Sequence, residues 1–167
     1  MVIESLEQLQ WLNDVLLFST IMDSDSYKSS HWMQYPPGTE FIESYLESRG
    51  GQFDYTIVAG FKYIMDQITG LVITNDMIDV AKAMIVPHMG GDPANFNEEG
   101  WRDIANRLGG RLPLHIKGIP EGTRIEKHNA LMVVRNTDKK HAWLVNYMET
   151  KLMRAWYPIT VASLSYA

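Results

Sequence analysis

The sequence predicts an α+β fold, with helices packed on a small mixed or antiparallel sheet, in a single domain over residues 1–167. Three observations carry that expectation. Apolar residues recur at spacings of three and four in several stretches, the period of an amphipathic helix. Three shorter stretches read as strands, either alternating apolar and polar residues or running apolar between turn signals. Gly, Pro and Asn punctuate these stretches, with no linker, internal repeat or low-complexity tract between them. The size agrees: 167 residues, 46% hydrophobic and 21% charged, are ordinary for one globular domain.

Residues 3–17 carry Ile3, Leu6, Leu9, Leu12, Val15 and Leu16 at helical spacing. The following stretch, through Asp23-Ser24-Asp25-Ser26, is rich in capping side chains. Ser24 or Asp25 would cap a short helix over residues 27–34, which Pro36-Pro37-Gly38 must end. Residues 39–48 read as a strand that stops at Arg49-Gly50-Gly51, a hinge of little backbone restriction. Ile57, Val58, Phe61, Ile64, Met65 and Ile68 form one helical stripe. Met77, Ile78, Ala81, Met84 and Ile85 form another behind a Thr74 cap. Asn97 opens a third helix with Glu98-Glu99 at its positive end, and Gly109-Gly110 closes it. Leu112, Leu114 and Ile116 alternate with polar or turn-forming neighbours as a half-buried strand. Pro120-Glu121-Gly122 and His128-Asn129 supply turns before a third strand over residues 130–135. Asn136-Thr137-Asp138 then offers a cap for a long helix carrying Trp143, Leu144, Tyr147, Met148, Leu152 and Trp156, stopped by Pro158. Residues 159–167 are apolar and lightly charged, and read as the start of another element rather than a solvated tail.

Composition excludes several function classes. The chain has no cysteine, which removes disulfides, thiolate metal sites and a cysteine nucleophile together. A net charge of −5 argues against a nucleic-acid scaffold, whose phosphate contacts need a basic face. No apolar run approaches a membrane span, and the first residues lack the basic start of a signal peptide, so a cytoplasmic protein is expected. Phosphate-loop, dinucleotide, zinc-helix and nucleophile-elbow motifs are all missing. The five histidines have no ligand spacing, so no metal site is expected.

Residues 22–37 are the densest cluster of hydroxyls, acids and aromatics. They can form a ligand-facing turn, with Tyr27 as a flat surface and Asp25 as an acceptor, or a helix cap followed by aromatic packing. Composition alone favours the second. Arg49, before two glycines, is either an arginine poised to meet phosphate or an ordinary exposed side chain beside a turn.

Longer motifs narrow this. Asp25-Ser26-Tyr27-Lys28, His31 and Gln34-Tyr35-Pro36-Pro37-Gly38-Thr39 resemble the N-terminal signature of nicotinamide phosphoribosyltransferase, a type II phosphoribosyltransferase. Glu47-Ser48-Arg49-Gly50-Gly51, Pro120-Glu121-Gly122, Asn136-Thr137-Asp138 with Trp143-Leu144, and Trp156-Tyr157-Pro158-Ile159-Thr160-Val161-Ala162 agree in order. The resemblance implies the N-terminal portion of that fold, lacking its barrel domain. It also implies transfer of a phosphoribosyl group from phosphoribosyl pyrophosphate to nicotinamide, for NAD salvage, in an enzyme dimer. By the same resemblance, Tyr27 stacks on the nicotinamide ring, Asp25 sits beside the carboxamide and Arg49 reaches the phosphates. Where some members have lysines after the arginine, this chain has Gly50-Gly51.

No catalytic residue falls within the chain on this basis. The phosphorylated histidine, the acids serving ribose and magnesium, and the phosphate loop are expected beyond Ala167. Phosphoribosyl pyrophosphate, Mg and ATP are therefore implied for a complete enzyme and none of them for this chain alone. The expected partner is a barrel portion or a full-length homologue, in a homo- or hetero-oligomer. A non-enzymatic domain that docks on such an enzyme and regulates it is the alternative. With no barrel, the apolar face of residues 143–156 and the 159–167 tail are expected to lie uncovered.

Overall fold

Local capping chemistry sets the helices. In the computed structural model, which describes residues 5–8, 10, 20–162 and 164, α1 spans Phe61–Gly70, α2 Asn75–His88 and α3 Glu98–Arg107. The helix expected over residues 3–17 falls largely outside the described residues. Thr74 Oγ1 accepts the Met77 N–H at 3.3 Å and starts α2, and Asn97 Oδ1 accepts the Gly100 N–H at 3.0 Å and starts α3. Gly109 and Gly110, at φ +62° and +76°, end α3 by returning the Gly110 N–H to the Ile104 carbonyl. Helix α1 has no cap of its own. Glu121, in the turn far along the chain, accepts from the N–H groups of Gly60 (3.0 Å) and Lys62 (2.7 Å) instead.

Among the described residues five strands form two antiparallel sheets. Strands β1 (Glu43–Glu47), β5 (Ala130–Asn136) and β3 (Leu114–Gly118) make the larger one, with β5 in the middle. Strands β2 (Tyr55–Ile57) and β4 (Arg124–Glu126) pair as a separate ribbon. Ile57 and Val58, expected in the α1 stripe, are therefore not helical. Gly60, at φ +83°, ends the extended segment before α1 begins.

The C-terminal half of the expected long helix also divides. A single 3-10 turn, Lys139–His141, is capped by Asp138, whose Oδ1 accepts the Lys140 N–H at 3.0 Å. Helix α4 (Trp143–Tyr147) and helix α5 (Glu149–Tyr157) follow and meet at Met148. Pro158 does not stop the chain. Lacking an N–H, it removes one bond from the ladder, and residues Pro158–Ala162 continue as a wider π-helix. Asn136, wholly buried, ties this region to the approach to β1 by accepting from Ile42 N–H and donating to the Glu40 carbonyl, each at 2.8 Å.

The core lies between the helices and the larger sheet. Trp101 on α3 meets Trp143 and Tyr147 on α4 edge to face, with ring centroids 5.0 and 5.1 Å apart. Leu144, Met148 and Leu152 are buried beside them, as are Ile159 and Leu164. The expected uncovered face on residues 143–156 and 159–167 is thus not found among the described residues: those side chains pack inward. The apolar groups left in solvent include Phe53, Tyr55 and Ile57 beside and along β2. No helix among the described residues is long and apolar enough to cross a membrane.

Candidate functional site

Helices α4 and α5 fasten the segment that precedes them by more than a hundred residues. The buried Tyr147 hydroxyl donates to the Ile21 carbonyl at 2.6 Å, and Ser24 Oγ donates to the Tyr147 carbonyl at 2.9 Å. Asp23 takes Lys151 Nζ at 3.0 Å and also pairs with Arg154. One turn further, the Asp25 N–H donates to Thr150 Oγ1 at 3.1 Å, while that hydroxyl donates to Asp25 Oδ2 at 2.9 Å. Lys28 is buried, with Nζ on Asn146 Oδ1 at 2.9 Å and in an ion pair with Glu149. Asn146 Nδ2 donates to His31 Nδ1 at 3.0 Å, which places the ring proton on Nε2.

These anchors on either side leave Tyr27 outside. The expected short helix is two 3-10 turns, Ser26–Ser29 and His31–Gln34, and Asp25 stands at the N-cap without a side-chain cap bond. Its carboxylate is turned to Thr150 instead. Tyr27 is 53% exposed, its ring tilted against the His31 ring at a centroid distance of 5.0 Å. Its hydroxyl reaches Asp25 Oδ2 only at 3.5 Å, a long contact. Asp25 and Tyr27 together therefore present a flat exposed ring with a carboxylate at its edge. Asp25 Oδ1 has no partner among the described residues.

Arg49 is placed apart from this pair. It is exposed and lines a groove of about 540 Å³ with Tyr35, Tyr45, Asn146, Glu149 and Trp156. Asp25 lines a different depression, of about 280 Å³, with Ser26, Met84 and His88. Asn146 and Glu149 wall the Arg49 groove and also hold His31 and Lys28, the neighbours of Tyr27. Among the described residues Arg49 has no carboxylate partner. The following glycines are not the free hinge that the sequence suggests. Gly50, at φ +94°, donates its N–H to Ser48 Oγ at 3.2 Å, and Gly51 lies so close to residue 164 that an added Cβ would be 2.3 Å from the Leu164 carbonyl oxygen. The Gln52 N–H also donates to that oxygen at 2.8 Å. Close backbone approach, not flexibility, explains Gly51.

Sequence reasoning singled out Asp25, Tyr27 and Arg49 but missed Asn146, Glu149 and Thr150. They lie on or beside an amphipathic helix whose polar face reads as ordinary solvent-facing residues, so no local signal distinguishes them. His88, whose Nε2 is 2.9 Å from Ser26 Oγ, was equally silent. Among the described residues no group of three or more His, Asp or Glu side chains is gathered to hold a metal ion.

Comparison with known proteins gives a consistent result. Residues 19–116 match the family model described as nicotinamide phosphoribosyltransferase, N-terminal domain. The chain is 47% identical over 150 residues to the nicotinamide phosphoribosyltransferase of Xanthomonas campestris pv. campestris (strain 8004), covering 90% of this chain and 31% of that protein. It is 29% identical over 155 residues to the nicotinamide phosphoribosyltransferase of Acinetobacter baylyi (strain ATCC 33305 / BD413 / ADP1), covering 85% of this chain and again 31% of the relative. Among solved structures, human nicotinic acid phosphoribosyltransferase superposes with a TM-score of 0.55 at 16% identity, over 84% of this chain and 26% of that one, a likeness of fold. The chain spans under a third of the length of these curated relatives.

Proposed function

The chain belongs to the family of nicotinamide phosphoribosyltransferase N-terminal domains, and on that premise we propose that it forms the nicotinamide-facing part of such an enzyme. The reaction is transfer of the phosphoribosyl group of phosphoribosyl pyrophosphate to the pyridine nitrogen, giving nicotinamide mononucleotide. Tyr27 stacks on the pyridine ring, Asp25 accepts the carboxamide NH₂, and Arg49 meets phosphate oxygens. A barrel portion, on a longer chain or on an oligomeric partner, supplies the groups around the ribose. The transition state is a cationic, loosely bonded ribose that needs charge stabilisation on several sides, and these three side chains do not surround it.

The observation that carries the proposal is the exposed Tyr27 ring with the Asp25 carboxylate fixed at its edge by Thr150. A π-face suits a pyridine, and a carboxylate oxygen without a donor among the described residues suits an amide N–H. The same carboxylate disfavours nicotinate, because two like charges at close range repel. Arg49, without a carboxylate partner among the described residues, keeps its guanidinium fork for phosphate.

The test is nicotinamide mononucleotide formation by the chain alone and with a barrel-bearing homologue. The expected result is no product alone. In the assembled enzyme, Tyr27→Ala should raise the nicotinamide KM several-fold to about tenfold, the loss of a stacked contact of about 1 kcal/mol plus its burial. Tyr27→Phe should be nearly silent. Product from the chain alone, or an unchanged KM in Tyr27→Ala, overturns the assignment.

A further inference from the structure

The Tyr27 ring is aimed by little of its own. Its hydroxyl makes only the long 3.5 Å contact to Asp25, and the 3-10 turn that carries it is four residues long. An exposed side chain in such a place keeps its rotamer freedom unless something packs on it. Two groups meet the ring. The His31 ring lies 5.0 Å away between centroids, tilted by 54°, and Lys28 Nζ lies 5.3 Å from the Tyr27 centroid.

Neither of these groups is loose. Lys28 is 3% exposed, and its ammonium, which can only donate, is shared between Asn146 Oδ1 at 2.9 Å and the Glu149 carboxylate. That fixes the Asn146 amide, because turned over it would set its NH₂ against the ammonium. The amide nitrogen is therefore the end that faces His31 Nδ1, at 3.0 Å, and the ring nitrogen accepts from it. Asn146 has a rigid footing of its own, on α4 between the buried Val145 and Tyr147. Directed bonds thus run from a buried ammonium, through one amide, to the imidazole against which Tyr27 leans. Each link has one sense only, so the orientation set in the interior reaches the surface.

We propose, on the reading of Tyr27 as the stacking group, that His31 and Asn146 are positioning residues for it: they hold the ring in the attitude that receives a flat ligand, without touching that ligand. A ring ordered in advance loses no rotamer freedom on binding, so the support shows in affinity. In the full chain alone, three-bond couplings should show one χ1 rotamer for Tyr27 in the parent and averaging over several in His31→Ala and in Asn146→Ala. In the enzyme assembled with a barrel-bearing homologue, His31→Ala should raise the nicotinamide KM about two- to fivefold and leave the phosphoribosyl pyrophosphate KM where it was. His31→Phe, which keeps a flat ring beside Tyr27, should recover part of the loss. Adding His31→Ala to Tyr27→Ala should raise the KM no further, because the support then has nothing to hold. A role confined to stability would lower kcat through the active fraction and leave KM alone. Asn146→Ala takes an acceptor from the buried ammonium; where it unfolds the chain, His31→Ala, at a half-buried position, carries both measurements. Averaging in the parent, a single rotamer in the variants, an unchanged KM in His31→Ala while Tyr27→Ala raises it, or additive losses in the double variant would each overturn the positioning role. An unchanged KM in Tyr27→Ala would instead overturn the stacking reading itself, and the proposal with it.

Discussion

Asp23 and Asp25 sit two residues apart on one turn and reach neighbouring residues at the start of α5, yet they are opposite in kind. The Asp23 side chain is 8% exposed and held by the ammonium of Lys151, itself 4% exposed, and by Arg154. Asp25 is exposed, and among the described residues its carboxylate meets only the hydroxyls of Thr150 and Tyr27. A carboxylate that must leave water needs cations to offset the lost hydration. One that stays in water can be oriented by a hydroxyl and keep an oxygen for something else. The turn thus divides its acids, one building the fold and one left available.

The strongest test of that contrast is to remove each acid. Asp23→Ala strands the buried Lys151 ammonium and should cost about 3–5 kcal/mol, read from the midpoint of denaturant unfolding. Asp25→Ala should stay within about 0.5 kcal/mol in the same measurement. Equal losses would break the comparison.

The tyrosines that flank the same contact give a smaller version. Tyr147→Phe leaves the Ile21 carbonyl without its donor and should cost about 1–3 kcal/mol, while Tyr27→Phe should cost almost nothing. Burial also pushes the Tyr147 hydroxyl well above the ordinary tyrosine range. A group raised in the folded state contributes stability below its unfolded value and loses it above. Alkaline titration should therefore find this phenol un-ionised past pH of about 10, with its ionisation coinciding with unfolding.

A third effect lies at acid pH, across the molecule. The Arg107 guanidinium, with the His141 N–H, holds the Asp103 carboxyl well below the usual carboxylate range against the opposing effect of burial. For a depressed carboxyl the stabilisation is full above the unfolded value of about 3.9 and is lost as pH falls below it. Asp103→Asn should be less stable than the parent at pH 7, and the gap should narrow below pH of about 4. A gap independent of pH would show that the carboxylate's charge is not what matters. The smallest stability change is expected for Tyr27→Ala, whose melting temperature should match the parent.

What could be seen in the sequence was what is local. Thr74, Asn97 and Gly109-Gly110 mark helix ends through bonds to residues within a few positions, and all of them act as expected. The β2–β4 ribbon was hidden because Tyr55–Ile57 is three residues long, runs into the α1 stripe and finds its partner almost seventy residues later. The break at Met148 and the passage through Pro158 depend on packing, not on local propensity. The site divided in the same way. Asp25 and Tyr27 were recognisable from a motif, and their adjacency followed from it. Thr150, which holds Asp25, and Asn146 and Glu149, which hold the flanking His31 and Lys28, are over a hundred positions away. Arg49 lies in a separate groove, which no spacing along the chain could have foretold.

Glu121 closes the start of α1 from a turn some sixty residues downstream. Ten residues are too few to be helical alone in water, and this helix has no capping side chain of its own. Its first turn therefore has to wait for the chain to close a long loop, an entropic toll settled before any bond is gained. In a refolding experiment followed by pulse-labelled hydrogen exchange, the amides of Gly60 and Lys62 should gain protection together with those of β4, and later than those of α3. Helix α1 is thus a clock for the order of assembly: its first turn records the moment at which the two ends of that long loop meet.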